Sequence, residues 1–362
     1  MNETMESELD ETWEVEPTEM PESQEQDVIS YQISYYPADF TLKGYLDKYN
    51  SGQLQIPPFQ RSYVWDQVKA SKLIESFLLG LPVPGVFLYK ERGTNRLQVI
   101  DGQQRIISAV RFFKNEFDER SFRLKNINPK WEGKTYADLD ESDKFQLDDT
   151  VLRATVVQQL DPEDDSSIYH IFERLNTGGM NLNPMEIRKC VYSGRYFTHL
   201  EELNQNDSWR RILGKSKVDK RLRDVELVLR VLSLMYRHEK YEKPMKRFLN
   251  NYIASQRKLS EDALSLTIQR EKDDFFEVTE KIVKALGEKP FHLRGRLNYA
   301  VLDSVMAAIL RRLDLSEEDF KLAFSNLTDD AEYIDHATKN TSDKETLKLR
   351  FQKAINIFGT VR

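Results

Sequence analysis

The sequence predicts an α+β protein with a mixed N-terminal domain at residues 35–195 and a mostly helical C-terminal domain at residues 196–362. Short apolar runs bounded by turn residues predict strands within the first 157 residues. From about residue 195 the apolar residues recur at helical spacing, which predicts helices alone. A chain of 362 residues is also long enough to bury two separate cores.

The first 30 residues are predicted to form a disordered acidic tail. Residues 1–27 carry eleven Asp and Glu and no Lys or Arg, so the formal charge of −7 becomes +4 for the remainder of the chain. Such a composition without apolar periodicity is typical of disorder. The tail would either keep the protein soluble or compete with nucleic acid for a basic groove.

The N-terminal domain is predicted to begin with an entry segment from Tyr35, followed by a short helix near residues 42–49. Asp66 is in position to cap the next helix, which Gly80 and Pro82 end. A further helix extends to about residue 113, and residues 114–145 are predicted to be irregular. Strands are predicted at residues 86–89, 97–100 and 151–157.

A helix is predicted to begin at Pro162 and to end at Asn176. Asn183, Pro184 and Glu186 have the spacing of an N-cap, a first-position proline and a capping-box partner, which predicts another helix start. In the C-terminal domain, apolar periodicity predicts helices near residues 225–234, 275–286, 299–313 and 347–358.

The first polar cluster follows the strand at residues 97–100. Asp101, Gly102, Gln103, Gln104 and Arg105 stand where the strand passes into a helix. Glycine permits close backbone approach, free N–H groups at a helix start attract anions, and a guanidinium suits phosphate. Two structural alternatives are a turn with Asp101 as the N-cap and Arg105 in solvent, or an internal Asp–Arg ion pair that fastens the corner.

Two further clusters combine arginine with amides or glycines. In the first, Pro57 and Pro58 exclude a helix, so an extended segment presents Gln60 and Arg61 beside aromatic residues. In the second, a helix ends on Asn-Thr-Gly-Gly, a strong stop signal that exposes backbone groups. The candidate binding residues of this second cluster and of the helix after it are Arg174, Asn176, Gly178, Gly179 and Arg188.

These clusters carry a resemblance to a known family. The Ile-Pro-Pro-Phe-Gln-Arg segment, the Asp-Gly-Gln-Gln-Arg motif and the Phe-x-Arg-Leu-Asn-x-Gly-Gly helix end occur here in the family's order. Residues 35–195 resemble the N-terminal domain of GmrSD-type, modification-dependent restriction endonucleases, which belongs to the ParB/sulfiredoxin-like superfamily. Ser108 stands where the family commonly has Thr, so a hydroxyl is retained. The resemblance implies a ParB/sulfiredoxin-like fold for this domain.

The resemblance also implies nucleotide binding and hydrolysis that control DNA cleavage in restriction or phage defence. The implied catalytic residues are Asp101, Gln103, Gln104 and Arg105, and we expect Asp101 to hold Mg²⁺ through water. Cleavage in two-domain relatives belongs to a separate nuclease domain, so a separate nuclease subunit is an expected partner. The expected nucleoside triphosphate site adds Gln60, Arg61, Gly102, Ser108, Arg174, Asn176, Gly178, Gly179 and Arg188.

The C-terminal domain carries a basic block that makes DNA a candidate partner. Residues 210–247 contain thirteen Lys and Arg against five Asp and Glu. Phosphate contacts would make binding strongly salt-dependent, with Trp209 and Tyr236 available for stacking. A solvated helix face, or a dock for the acidic tail, explains the same charges. The densest part of the block is Arg210, Arg211, Lys215, Lys217, Lys220, Arg221 and Arg223.

Three function classes therefore remain open from the sequence: a nucleotide hydrolase, a non-catalytic DNA-binding or regulatory module, and a direct DNA nickase. The single Cys190 excludes an internal disulfide and a thiolate metal cluster, and its apolar helical neighbours favour a buried structural thiol. Neither a signal segment nor a membrane span is recognised, which favours a cytoplasmic protein with no membrane partner.

Overall fold

The structure is a computed structural model that describes residues 33–56, 63–91, 94–159, 183–293 and 295–361. It divides into two compact units, one formed by Asp27–Val191 and the other containing Tyr192–Arg362. The described part of the first unit mixes strands and helices, and the second is almost entirely helical. The α+β class predicted from sequence is thus confirmed. The predicted acidic tail and the predicted helix from Pro162 to Asn176 lie outside the described residues.

The N-terminal unit is built on a five-stranded mixed sheet with the order β1-β5-β3-β4-β2. β3 runs parallel to β5 and β2 parallel to β4, whereas the β1–β5 and β3–β4 pairs are antiparallel. This topology brings the ends of β1 and β4 and the starts of β3 and β5 to one edge of the sheet. The strands are β1 (Ile33–Thr41), β2 (Leu54–Gln55), β3 (Val86–Lys90), β4 (Leu97–Asp101) and β5 (Val151–Gln159).

Two helices of this unit begin at caps that the sequence predicts. Asp66 Oδ1 accepts a hydrogen bond from the Lys69 amide at 2.7 Å, as its predicted capping role requires. The predicted capping box is also confirmed, because Asn183 Oδ1 accepts from the Glu186 amide at 2.9 Å and Glu186 Oε2 accepts from the Asn183 amide at 2.6 Å. The helices are α1 (Leu42–Asn50), α2 (Gln67–Leu78), α3 (Gln103–Lys114), α4 (Glu141–Asp149) and α5 (Pro184–Val191).

The core of the N-terminal unit forms where α2 and α3 cover the sheet. Val86, Leu88 and Val99 of the central strands are buried together with Phe77 of α2 and Phe112 of α3. Apolar burial of this kind supplies the main driving force for folding, about 25 cal/mol per Å². The packing fixes the position of α3 against the end of β4.

Three elements of this unit are absent from the sequence prediction. The entry segment from Tyr35 is part of β1, whose Tyr35, Tyr36 and Pro37 are exposed, so β1 forms by pairing with β5 and lacks the pattern of a buried strand. β2 has only two residues. α4 is polar on most faces and buries only Asp143 and Leu147, which leaves too little apolar periodicity to predict it.

In its described residues the C-terminal unit is helical except for one small hairpin, which corrects the prediction of helices alone. β6 (His292–Leu293) pairs with β7 (Arg296–Leu297), and Gly295 between them has a φ of +82°. Two-residue strands are too short to show a period of two. The helices are α6 (Arg195–Leu203), α7 (Asp207–Leu213), α8 (Arg223–Arg237), α9 (Met245–Arg257), α10 (Glu261–Leu286), α11 (Tyr299–Leu310), α12 (Glu317–Asp329), α13 (Ala331–Thr338) and α14 (Lys344–Thr360), with a short 3₁₀ turn at His238–Lys240.

The four helices predicted for this unit are confirmed as α8, α10, α11 and α14, although α10 begins well before the predicted residue 275. α8 and α11 are buried on nearly all faces and form the centre of the unit. Among the described helices, none combines the length and the apolar character that spanning a lipid bilayer requires.

Candidate functional site

The first predicted cluster forms a tight corner between β4 and α3. Asp101 is the last residue of β4, and Gly102 is the N-cap of α3 with a φ of +95°. A Cβ on residue 102 would lie 2.3 Å from Cγ1 of Val86 in the neighbouring strand. Both the left-handed backbone and the close approach require glycine. The alternative with Asp101 as the N-cap is therefore wrong.

Arg105 is bound within this corner. Its Nη1 donates to the carbonyl oxygens of Pro84 at 2.6 Å and Gly85 at 2.8 Å, and its Nη2 donates to Asp101 Oδ2 at 2.8 Å. Only 17% of the Arg105 side chain is exposed, against 41% for Asp101. The internal ion pair weighed as an alternative from sequence is thus present. The carboxylate of Asp101 is the more accessible group of the two.

Gln104 and Ser108 contact residues 63–65, which follow the cluster that contains Pro57 and Pro58. Gln104 Oε1 accepts hydrogen bonds from the backbone amides of Val64 at 3.1 Å and Trp65 at 3.2 Å. Ser108 is fully buried; its hydroxyl donates to the Gln104 carbonyl oxygen at 2.7 Å and lies 2.7 Å from the Tyr63 hydroxyl. Its burial contradicts the prediction that Ser108 contacts a nucleotide, and we reassign it to packing beneath the site.

Burial of Tyr63 raises the pKa of its hydroxyl, because desolvation disfavours the phenolate and outweighs the opposing effect of the hydrogen bond between Tyr63 and Ser108. The Arg111 guanidinium lies over the Tyr63 ring, 4.1 Å from its centroid. Sequence reasoning missed Tyr63 and Arg111. The available signal was the helical spacing of Gln104, Ser108 and Arg111, which places three polar side chains on one face of α3.

The remaining residues of the predicted nucleotide site lie in three different places. Gln103 is half-buried at the first position of α3, beside the corner. Arg188 belongs to α5 and its side chain is fully buried, so its predicted contact with a nucleotide stays a prediction. Six predicted residues lie outside the described part of the chain, namely Gln60, Arg61, Arg174, Asn176, Gly178 and Gly179.

Arg210, the first residue of the basic block, does not have the exposed position that a contact with DNA requires. Arg210 is 8% exposed, and its Nη1 donates to Asp224 Oδ2 at 2.8 Å and to Asn204 Oδ1 at 3.0 Å. Its Nε and Nη2 donate to the carbonyl oxygens of Lys215 and Lys217. Arg210 therefore fastens the loop before α8 and does not reach a phosphate backbone.

Two other members of the block also have protein partners. Arg223 donates from Nε to Asp219 Oδ2 at 2.5 Å, and Arg211 pairs with Glu288 at 3.2 Å. Burial by itself would raise the pKa of Asp219, but hydrogen bonds from Arg223 and backbone amides outweigh that effect and lower it. Lys217 and Lys220 are exposed, whereas Lys215 and Arg221 are half-buried.

The aromatic residues proposed for stacking pack inside the C-terminal unit. Trp209 is fully buried, donates from Nε1 to Asn204 Oδ1 at 3.1 Å and lies 5.3 Å from the Phe275 ring. Tyr236 is half-buried and donates to Asp274 Oδ2 at 2.5 Å. The buried ring of Trp209 therefore serves packing and is not open to a nucleobase, and the hydroxyl of Tyr236 is already bound within the protein.

The metal prediction rests on Asp101 alone. Within the described residues, no group of three or more His, Cys, Asp and Glu side chains could hold a metal ion. A site of one carboxylate differs from a closed structural metal site, which takes four protein ligands. It resembles the common mode of Mg²⁺ binding, in which one or two carboxylates join water and substrate phosphates.

Comparison with known families places this corner in a wider group. Residues 42–193 match the model of the family described as "GmrSD restriction endonuclease, N-terminal domain". This range runs from α1 to just beyond α5 and includes the corner at Asp101–Arg105. A comparison with curated proteins finds no match. The resemblance inferred from the motifs is confirmed, and it relates the chain to DNA restriction systems.

Proposed function

Residues 42–193 belong to the family of the GmrSD restriction endonuclease N-terminal domain, and on this basis we propose that the N-terminal unit binds and hydrolyses a nucleoside triphosphate. The hydrolysis would control a DNA restriction or phage-defence reaction in the cytoplasm. As the resemblance implies, cleavage of the DNA would be carried out by a separate nuclease subunit.

The observation that carries this proposal is the exposed carboxylate of Asp101 beside the start of α3. Gly102, the N-cap of α3, makes no side-chain cap hydrogen bond, so no N-cap side chain covers this helix start beside Asp101. Amide groups at a helix start attract anions, and a neighbouring carboxylate attracts a divalent cation. Together these groups suit a phosphate chain that carries Mg²⁺.

Asp101 has two roles in this proposal. Its oxygens would hold Mg²⁺ with water and nucleotide phosphates as the other ligands, and bound Mg²⁺ would neutralise phosphate charge. The same carboxylate is placed to orient a water molecule that attacks the terminal phosphorus as the anhydride bond breaks. A second carboxylate is not required, since substrate oxygens and water complete the ligand set.

Arg105 has a different proposed role from the one its charge suggests. Its guanidinium nitrogens already donate to Asp101, Pro84 and Gly85. We therefore propose that Arg105 fixes the orientation of the Asp101 carboxylate. Gln103 is proposed to contact phosphate or the attacking water, with Gln60, Arg61, Arg174, Asn176, Gly178 and Gly179 as further contacts.

The test is binding and phosphate release with a panel of nucleoside triphosphates and Mg²⁺, using the intact chain. Asp101→Ala should reduce phosphate release by about 100-fold or more, the scale of a lost acid–base group. Arg105→Ala should reduce it less, because Asp101 remains but loses its orientation. Arg153→Ala is a matched control: Arg153 belongs to the same sheet edge, is 81% exposed, and pairs only loosely with Asp39 at 3.6 Å.

Two results would contradict the proposal. The first is no binding of any nucleoside triphosphate by the wild-type protein. The second is unchanged phosphate release in Asp101→Ala, which would remove the corner from the reaction. A loss in Arg153→Ala as large as that in Asp101→Ala would show that general charge, and not the corner, controls the activity.

DNA is a second proposed partner, favoured by the exposure of Lys217 and Lys220. If both lysines contact phosphates, replacing them with Ala should weaken binding and reduce the salt dependence of log K by about 2 × 0.9. The measurement is DNA affinity between low and moderate salt. An unchanged slope would exclude these lysines, and salt-sensitive binding without any phosphate release would favour the non-catalytic module.

A further inference from the structure

We infer that Gln104 is a positioning residue, which fastens the backbone of residues 64 and 65 to α3 through its side-chain oxygen and not through its side-chain nitrogen. The family resemblance implies the same catalytic role for the adjacent Gln103 and Gln104. Only the fastening is argued from contacts; any effect on catalysis rests on the proposed nucleotide hydrolysis.

The central observation is one acceptor atom that serves two successive backbone donors. Oε1 of Gln104 lies 3.1 Å from the Val64 nitrogen and 3.2 Å from the Trp65 nitrogen. An amide oxygen has two lone pairs and is therefore saturated by these two donors. The side-chain oxygen of Gln104 is thus already used within the protein.

A second set of contacts fastens the same segment one and two turns further along α3. The Tyr63 hydroxyl lies 2.7 Å from the Ser108 hydroxyl, which also donates to the Gln104 carbonyl oxygen at 2.7 Å. The Arg111 guanidinium covers the Tyr63 ring at 4.1 Å, and Phe117 meets that ring edge-on at 5.9 Å. Residues 104, 108 and 111 lie on one helical face, so the segment is held along one stripe.

The other end of the segment is fixed to α2. Asp66 Oδ1 caps that helix through the Lys69 amide at 2.7 Å, and the Lys69 ammonium lies 4.8 Å from the Trp65 ring. Val64 is 56% exposed, so burial of its side chain contributes little to holding the segment. The backbone bond to Gln104 is therefore the main restraint on residue 64, whereas Trp65 is held both by its bond to Gln104 and by packing against the core.

These contacts give Gln103 and Gln104 different roles. Successive side chains on a helix point about 100° apart, so Gln103 and Gln104 cannot serve the same surface. Gln104 faces the segment and Gln103 lies beside the Asp101 corner. Replacement of the Gln104 side-chain nitrogen should therefore be tolerated, whereas loss of the oxygen should release the segment.

The test is amide hydrogen exchange of the intact chain without nucleotide, resolved at Val64 and Trp65. Gln104→Leu keeps the size of the side chain but removes the acceptor, and should speed exchange at both amides by about tenfold or more. Gln104→Glu is the matched control, because it keeps acceptor oxygens and should stay within about threefold of wild type. Amides inside α3 report whether each variant is folded.

Two outcomes would overturn the inference: unchanged exchange in Gln104→Leu, or equally fast exchange in Gln104→Glu and Gln104→Leu. If α3 itself opens in Gln104→Leu, Gln104→Met decides instead. That variant keeps an unbranched side chain of similar length but lacks the amide oxygen, and should also speed exchange at Val64 and Trp65 by about tenfold or more. Unchanged exchange in Gln104→Met with α3 intact would equally overturn the inference.

A kinetic arm separates this inference from the proposed hydrolysis. Gln104→Leu should lose most of kcat for nucleotide hydrolysis, whereas the control Arg153→Ala, which leaves the contacts of Gln104 in place, should retain it within about threefold. A wild-type protein without hydrolysis would reject the proposed function and leave the exchange result standing. Normal exchange with lost hydrolysis in Gln104→Glu would instead show that the side-chain nitrogen acts on the substrate, and would overturn the positioning role.

Discussion

The Asp101–Arg105 pair of the N-terminal unit and the Asp224–Arg210 pair of the C-terminal unit have nearly the same local geometry. In each, a guanidinium nitrogen lies 2.8 Å from a carboxylate oxygen, and other nitrogens of the same group donate to backbone carbonyl oxygens. Their exposure differs. Asp224 is fully buried, whereas 41% of the Asp101 side chain is exposed.

Because the two carboxylates differ in exposure, the two pairs have different roles. Both oxygens of the buried Asp224 carboxylate are used within the protein, since they also accept hydrogen bonds from the amides of Asp219 and Val225. Such a pair fixes a loop and has no free face for a ligand. In the half-exposed pair, Arg105 is also bound to backbone carbonyl oxygens, but the carboxylate of Asp101 is accessible to solvent. Arginine content in the sequence does not distinguish the two cases, whereas burial does.

The largest expected effect is that of Asp224→Ala. It leaves the Arg210 guanidinium buried without its carboxylate, and we expect a loss of about 3–5 kcal/mol in the free energy of unfolding. Asp101→Ala breaks the half-exposed pair and should cost about 1 kcal/mol. Urea unfolding of both variants measures the difference. Equal losses would contradict the distinction drawn from burial.

Gly102→Ala should have the next largest effect, since it tests the backbone of the exposed corner. A positive φ and a Cβ 2.3 Å from Val86 Cγ1 both oppose the substitution. We expect a loss of about 2–4 kcal/mol from strain and overpacking. Gly52→Ala is the control: its φ is +71° but nothing lies within 4 Å, so about 1 kcal/mol is expected. Thermal unfolding compares the two.

Asp143→Asn tests whether burial also decides the role of a carboxylate within the N-terminal unit. Asp143 accepts from Lys130 Nζ and Trp131 Nε1, both at 2.8 Å. Burial alone would raise the pKa of Asp143, but these two hydrogen bonds outweigh it and lower the pKa. We expect the substitution to cost about 1–3 kcal/mol at pH 7.

The lowered pKa gives this loss a defined pH dependence. The stabilisation by Asp143 is complete above the pKa of the unfolded state and is lost as pH falls through the lower pKa of the folded state. The gap between wild type and Asp143→Asn should therefore shrink below about pH 4. Urea unfolding from pH 7 to pH 3 measures it. A constant gap over that range would show that the charge of Asp143 is not involved.

The smallest effect is expected for Arg211→Ala, next to the buried Arg210. The Arg211 side chain is 51% exposed and pairs with an exposed Glu288 at 3.2 Å. Exposed pairs contribute little because water screens them, so we expect a change below about 0.5 kcal/mol. Thermal unfolding beside Arg210→Ala checks this. If Arg211→Ala lowered the free energy of unfolding as much as Arg210→Ala, burial would not explain the contribution of these arginines to stability.

Much of the fold could be predicted because local chemistry specifies it. Asp66 and the pair Asn183–Glu186 mark helix starts by their own hydrogen-bonding groups, and these starts are confirmed. β1 was missed because its residues become a strand only through pairing with β5. The corner at Gly102 and the ion pair between Asp101 and Arg105 are among the structures that the sequence suggests, but the backbone partners of Arg105 are not. These are the carbonyl oxygens of residues 84 and 85, which lie just before β3 and are brought close to the start of α3 by the antiparallel β3–β4 pair.

The sequence by itself determined the family, the α+β class and the place where a strand meets a helix on Asp101 and Gly102. These properties depend on residue order and on interactions over a few positions. Only the tertiary structure decided that Gln104 holds a distant segment, that Ser108 and Arg210 are buried, and that Asp101 faces solvent. The physical reason is that burial and hydrogen-bond partners depend on which strands and helices become neighbours, and charge or side-chain type does not encode that.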